Sequence, residues 1–171
     1  MCERGLISSS EGSVPPGPFF SPGPAAAAQT MSNPYLSLFP EGTDPDKLEA
    51  CCAFSRMINH LDSAHFEPLL ADNVEFHSQL VLEVLEGKEA YLHYIRSKMR
   101  LWEDQEVTAQ LAYTPMGGVG PCVIFSSGVQ DRHVTVCFTV EGGLVVELCY
   151  CVVPHPTECH ATGEYPRERS D

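Results

Sequence analysis

The chain has 171 residues, enough for one domain with tails, and a formal net charge of −13 from 10 Lys plus Arg against 23 Asp plus Glu. That balance argues against a protein that tracks the nucleic-acid backbone on a cationic surface, and against one held at an anionic membrane. No apolar run reaches the roughly 18 residues of a membrane-spanning helix. The start "MCERGLISSSEGSVPPGPFF" lacks the continuous apolar segment of a secretory signal, and the end "YPRERSD" carries no lipidation box. A cytoplasmic address with nuclear access is expected, and the eight cysteines then read as thiols.

Residues 1–43 are rich in Pro, Gly, Ser and Ala, with "PPGPFFSPGPAAAA" at their centre. Such a stretch buries too little apolar surface to offset its ordering entropy, so a disordered arm is expected. The apolar patch "NPYLSLFP" (33–40) is read as part of that arm; docking on the domain or on a partner is the alternative. The folded domain is expected over 44–153. Asp44 is a good N-cap and Pro45 suits the first helical position. Leu48, Cys51, Cys52, Ile58 and Leu61 then recur at the spacing of an amphipathic helix. "SAHFEPLL" predicts a second, short helix, capped by Asp62 or Ser63 and limited by Pro68.

The period then changes to two. Val74, Phe76 and Ser78 fall on one face of a strand, with Glu75 and His77 on the other. "LVLEVL" reads as the returning strand. Gly87 ends it and opens a third helix, whose Tyr91, Ile95, Met99 and Trp102 form one apolar face. Four long strands follow in "EVTAQLAYT", "PCVIFSSGVQ", "RHVTVCFTV" and "LVVELCYCVV", separated by turn chemistry in "PMGGVG", "QDR" and "EGG". Residues 154–171 read as a polar tail. Three helices in the N-terminal half and antiparallel strands after them predict an α+β fold, with the helices laid on one face of a curved sheet.

This order, with "LLADNVEFHS" followed by "LEGKEAYLHYI", resembles the nuclear-transport-factor-2-like superfamily, including its SnoaL-like and ketosteroid-isomerase-like branches. The pieces that carry the resemblance are Leu70-Ala71-Asp72-Asn73, the alternating strand, and Gly87-Lys88-Glu89-Ala90 at a helix start; it spans about residues 44–153. It implies a cone-shaped curved sheet wrapped on helices, an apolar pocket inside, and frequent homodimers. It does not imply one function, since the fold hosts both enzymes and binding modules.

Ketosteroid isomerases of this fold use a general-base Asp, an oxyanion Tyr and a protonated Asp partner. Carried onto this chain without gaps, those positions hold Ser78, Phe54 and Val136. A serine does not titrate near neutrality, and Phe and Val have no proton to give, so isomerase chemistry of that type is not expected. The positions still mark side chains that should face the cavity. Phe54, Phe76, Ser78, Tyr113, Val136 and Phe138 are therefore the expected ligand-binding residues, with no catalytic group among them.

Other chemistry is weaker. His77 and Ser78 are adjacent on a strand and point to opposite faces, so they cannot act as base and nucleophile. "CYCVVPHPTECH" gathers Cys149, Cys151, His155, Cys159 and His160, but one residue between the first cysteines is too few for a structural zinc site, so no metal is expected. Lys88, Arg96, Lys98 and Arg100 on the third helix read as a surface in ordinary ion pairs, with an acidic partner as the alternative. The expectation is a non-catalytic binding or interaction module without a cofactor, taking a hydrophobic small molecule or a protein partner and forming a homodimer. The alternative is a SnoaL-like cyclase, dehydratase or hydrolase, for which His133 and Tyr113 are the first groups to check.

Overall fold

The structure is a computed structural model that describes residues 33–79, 83–114, 120–128 and 132–167. The chain divides into two units, 1–31 and 32–171, and every described residue belongs to the second. The expected disordered arm up to residue 32, residues 115–119 of the "PMGGVG" turn and residues 130–131 of the "QDR" turn lie outside the described residues.

The fold is α+β. Helix α1 spans Pro45–His60, and the Asp44 carboxylate accepts from the backbone N–H groups of Asp46 (2.9 Å) and Lys47 (3.3 Å), as the sequence predicts. Two short 3-10 turns follow, Ser63–His65 and Glu67–Leu69, where one short helix is expected. The Asp62 side chain caps the first by accepting from the Ala64 N–H, and Pro68 belongs to the second. Proline supplies no N–H for an extended helical ladder, which keeps the segment to single turns. Strand β1 (Leu70–Ser78) buries Val74, Phe76 and Ser78 on alternate positions. Strand β2 (Glu83–Glu86) returns antiparallel to it. Gly87, at φ 93°, turns the chain directly into helix α2 (Lys88–Trp102), a backbone conformation that favours glycine.

Strands β3 (Val107–Thr114), β4 (Gly120–Ser127), β5 (Arg132–Glu141) and β6 (Leu144–Cys151) form an antiparallel meander. The seven-stranded sheet has the order β2-β1-β6-β5-β4-β3-β7 and is curved and unclosed. One feature departs from the expected antiparallel sheet. β1 lies parallel to β6, with Phe76 opposite Leu148 and Ser78 opposite Tyr150. Alternation shows which face a residue occupies and carries no information on strand direction, so the mixed sheet is invisible in the pattern. Both α-helices and the 3-10 turns pack on the same sheet face, and the core lies between them.

Two flanks expected to hang free are part of the fold. Tyr35 and Leu36 pack on the core and Phe39 is buried in it, while the Asn33 amide donates to Glu49 Oε2 (2.9 Å) and reaches Cys52 Sγ (3.4 Å). The "NPYLSLFP" patch therefore docks on α1. After β6, a 3-10 turn (Pro156–Glu158) closed by a His155/Glu158 capping box leads into β7 (His160–Ala161), which pairs with β3. The Asn59 amide on α1 donates to both Ala109 O and Pro166 O at 3.0 Å and accepts from Ala109 N–H at 2.8 Å. The polar "tail" is thus a seventh strand tied back to α1, and its composition conceals this because the strand pairs through its backbone, with Thr162 Oγ1 donating to Leu111 O (2.8 Å) beside it.

These contacts explain why α1 is buried nearly all round, from Ala50 to Ile58, where an amphipathic pattern predicts one buried face. Shortening the chain to begin at Asp44 removes the Phe39 packing and the Asn33 bonds. Burial of a Phe contributes about 1.5–3 kcal/mol, so that chain should melt roughly 5–10 °C below one beginning at Ser32 by calorimetry. Equal melting temperatures would show that the patch adds nothing.

Candidate functional site

Strand parity aims Phe76 and Ser78 of β1, Val136 and Phe138 of β5, and Leu148 and Tyr150 of β6 into the core, where they meet Phe54 of α1, Phe66 of the first turns and Tyr91 of α2. Phe54 is the hub of one half. Its ring lies 5.5 Å from Phe66, 5.5 Å from Phe138 and 6.3 Å from Tyr150. Phe76 is the hub of the other, 5.6 Å from Tyr91, 5.3 Å from Tyr94 and 5.1 Å from Tyr150. Edge-on and tilted geometries predominate, as ring quadrupoles prefer.

Four of the expected ligand-binding residues, Phe54, Phe76, Val136 and Phe138, therefore share one interior. Ser78 is buried at the β1 end of it, directly opposite Tyr150. Tyr113 is half-buried on β3 and packs against this core from its edge, with its ring stacked on His160 of β7 at 6.1 Å. Sequence reasoning did not single out Tyr150 or Phe66, and treated Tyr91 as one more apolar residue of α2. Counting alternate positions from Leu148 would have placed Tyr150 inward.

The electrostatics of this interior are simple. Among the described residues no Asp, Glu, His or Lys side chain is buried; the one buried ionic group, Arg56, pairs with Glu49 at 2.7 Å. The polar atoms left inside are hydroxyls. Ser55 Oγ, Tyr91 Oη and Tyr150 Oη are buried without a hydrogen-bond partner among the described residues. Burial pushes both phenols well up from the usual tyrosine range, with the neighbouring tyrosines adding to the effect. Both are neutral O–H groups at any physiological pH.

Outside the core, candidate chemistry resolves into ordinary surface contacts. His77 faces away from the core and meets Glu75 (3.1 Å) and Glu147 (3.7 Å). His133 Nδ1 lies 2.8 Å from Ser126 Oγ, a cross-strand pair on exposed positions of β4 and β5. Arg96 donates to Ser63 Oγ (2.9 Å) and Glu67 Oε2 (2.6 Å), tying α2 to the 3-10 turns, and Lys98 sits 5.3 Å over the Tyr94 ring.

The cysteine–histidine run is pulled apart by the fold. His155 Nδ1 is engaged by Thr157, His160 stacks on Tyr113, and Cys159 Sγ approaches Thr135 Oγ1 at 3.7 Å. No group of three or more His, Cys, Asp or Glu is arranged to hold a metal among the described residues. Cys137 and Cys149 face each other across β5 and β6, and burial pushes the Cys149 thiol up to about 12. Cys151 is raised chiefly by its hydrogen bond with Cys137. Thiols held protonated in this way are poor nucleophiles and poor ligands.

No protein-family model matches the chain, and no curated protein sequence does. Solved structures similar to it include a SnoaL-like protein of unknown function from Burkholderia thailandensis (19% identity, TM-score 0.47), covering 70% of this chain and 100% of that one. Others are NTF2-like proteins of unknown function from Mesorhizobium loti (14%, TM-score 0.47; 69% of this chain, 92% of that one) and Cytophaga hutchinsonii (14%, TM-score 0.45; 63% and 92%). At such identities no residue's role transfers to this chain.

Two expectations follow from the interior. Phe76→Ala removes a fully buried ring with three aromatic neighbours and should cost about 3–5 kcal/mol by urea denaturation; a loss below about 1 kcal/mol would mean that the rings are loosely packed. The second concerns pH. Burial, the largest effect, pushes the Cys52 thiol up to about 11, with Glu49 adding, and the Asn33 hydrogen bond and Arg56 opposing. Unfolded thiols titrate near about 8.5, so this stabilising contribution is whole below that pH and is lost as pH rises from there through about 11. The melting temperature should therefore begin to fall above about pH 9, and Cys52→Ala should make that fall shallower.

Proposed function

We propose that this protein is a non-catalytic binding domain that takes a hydrophobic small molecule between the curved sheet and its helices. One observation carries the reading: the interior is aromatic and holds no carboxylate, imidazole or ammonium among the described residues. Proton transfer needs such a group within reach of the reacting atom, whereas sequestering an apolar ligand needs area and shape. The positions at which a ketosteroid isomerase would hold its base, oxyanion donor and acid carry Ser78, Phe54 and Val136, and here all three side chains are buried.

The enzyme alternative would rest on Ser126 and His133. Their pair lies on the sheet face opposite the core, since Phe125 and Val134 beside them point inward. His133→Ala should leave ligand uptake unchanged under the binding reading. The proposal extends to a homodimer through the outer sheet face and to the cytoplasm with nuclear access, both on the strength of the resemblance and the sequence. No helix among the described residues is long and apolar enough to cross a membrane. Light scattering after gel filtration reads the oligomer directly.

The decisive experiment uses the neutral dye N-phenyl-1-naphthylamine. The protein should take it up saturably, close to one per chain, with a blue-shifted emission. Ser78→Trp, at the β1 end of the interior, should fold and lose that uptake. A folded Ser78→Trp variant with undiminished uptake would remove the pocket. An unfolded one would show that the core has no room to spare.

A further inference from the structure

We propose that Tyr91 and Tyr150 form a two-hydroxyl anchor for a carbonyl oxygen on a neutral, otherwise apolar ligand; this deepens the binding-domain reading and rests on it. The two phenols are set into the same aromatic half of the core, both packed on Phe76, at 5.6 and 5.1 Å ring to ring. They come from opposite layers. Tyr91 is on the first turn of α2 and Tyr150 on β6, so one reaches down from the helix and the other up from the sheet. Both hydroxyl oxygens are sealed from solvent and neither has a partner among the described residues.

A buried hydroxyl with no partner is a standing cost that Phe at the same position would not carry. The cluster also buries Phe rings, at 54, 66, 76 and 138, so the site accepts rings without hydroxyls. Two unsatisfied donors in one apolar space describe a site that is completed by an acceptor from outside. The ligand's charge follows from the surroundings. Among the described residues there is no buried Lys to meet a carboxylate or a phosphate, and Arg56 is already paired to Glu49. An ammonium would find no buried carboxylate among them. A phenol O–H donates strongly and its conjugated oxygen accepts weakly, which selects an acceptor. The raised phenol pKa values keep both groups in the donating form. A ketone, aldehyde or ester carbonyl has two lone pairs and can accept from both hydroxyls at once.

The test is competition against bound N-phenyl-1-naphthylamine by two probes of matched shape, 2-acetylnaphthalene and 2-ethylnaphthalene. The quantity read is the ratio of their dissociation constants, in which differences of general hydrophobicity cancel between variants. Wild type should prefer the ketone. Tyr91→Phe and Tyr150→Phe should each reduce that preference roughly two- to tenfold, the worth of one hydrogen bond, and leave 2-ethylnaphthalene binding as it was. The ligand-free variants should melt at the wild-type temperature or above it, because each loses an unsatisfied buried group. A ratio that both variants leave unchanged overturns the anchor while the pocket stands. Melting temperatures lowered by several degrees in both variants also overturn it, since the hydroxyls would then be serving the fold. Failure of wild type to bind the dye or either naphthalene removes the pocket and the anchor with it.

Discussion

The parallel pairing of β1 with β6 is the contact on which the rest of the structure depends. It joins the hairpin that follows the first helix to the last long strand of the meander, across about half the chain, and it fixes the register Phe76–Leu148 and Ser78–Tyr150. A slip of one residue would exchange the faces of β1 and turn Glu75 and His77 inward. With the register set, α1 and α2 share one sheet face, and residues far apart in sequence, such as Phe54, Phe76 and Tyr150, become neighbours. The bulge between Leu70 and Glu75 lets β1 follow the bend of the sheet without losing that alignment.

What that geometry brings together is mainly apolar: Phe54, Phe76 and Val136 are fully buried, with Ser78 beside them. Among the described residues no carboxylate is buried to draw in a counter-ion, and the rings pack on one another at 5–6 Å. Arg56 apart, the charged groups of the described residues lie at least partly exposed; Glu75, His77 and Glu147 meet on the outer sheet face at solvent-screened distances.

Much of this was legible in the sequence, for reasons that differ by element. The cap at Asp44, the glycine at 87 and the alternation of Val74, Phe76 and Ser78 are local signals, and local signals survive into the fold. The inward placement of Phe54 and Val136 came from the resemblance, since helical burial all round α1 leaves no periodicity to read. The parallel direction of β1 against β6 has no local signature. Nor has β7, a two-residue strand of His and Ala whose ladder is backbone alone. The "NPYLSLFP" patch was misread because its proline-rich neighbours dominate the composition, while three apolar side chains decide where it sits. Tyr150 was passed over because a tyrosine among valines and cysteines reads as a β-former, and its hydroxyl acquires meaning only when nothing bonds it.

The two tyrosines and the two flanks bear on the same question, which is how rigid the interior can be. α1 is tied near both of its own ends, by Asn33 on Glu49 and by Asn59 on Ala109 and Pro166. α2 is held differently. Arg96 ties it to the 3-10 turns through Ser63 and Glu67, the Glu67 contact being an exposed pair of the kind worth about 1 kcal/mol or less. It packs mainly on β1 and β2. On the binding reading, a ligand would enter the Phe76–Tyr91–Tyr150 half of the core by displacement of α2. That motion would carry the Tyr91 hydroxyl with it and leave Tyr150 fixed on the sheet. A ligand gripped by both phenols would then hold the helix to the sheet, and binding and closure would be a single event.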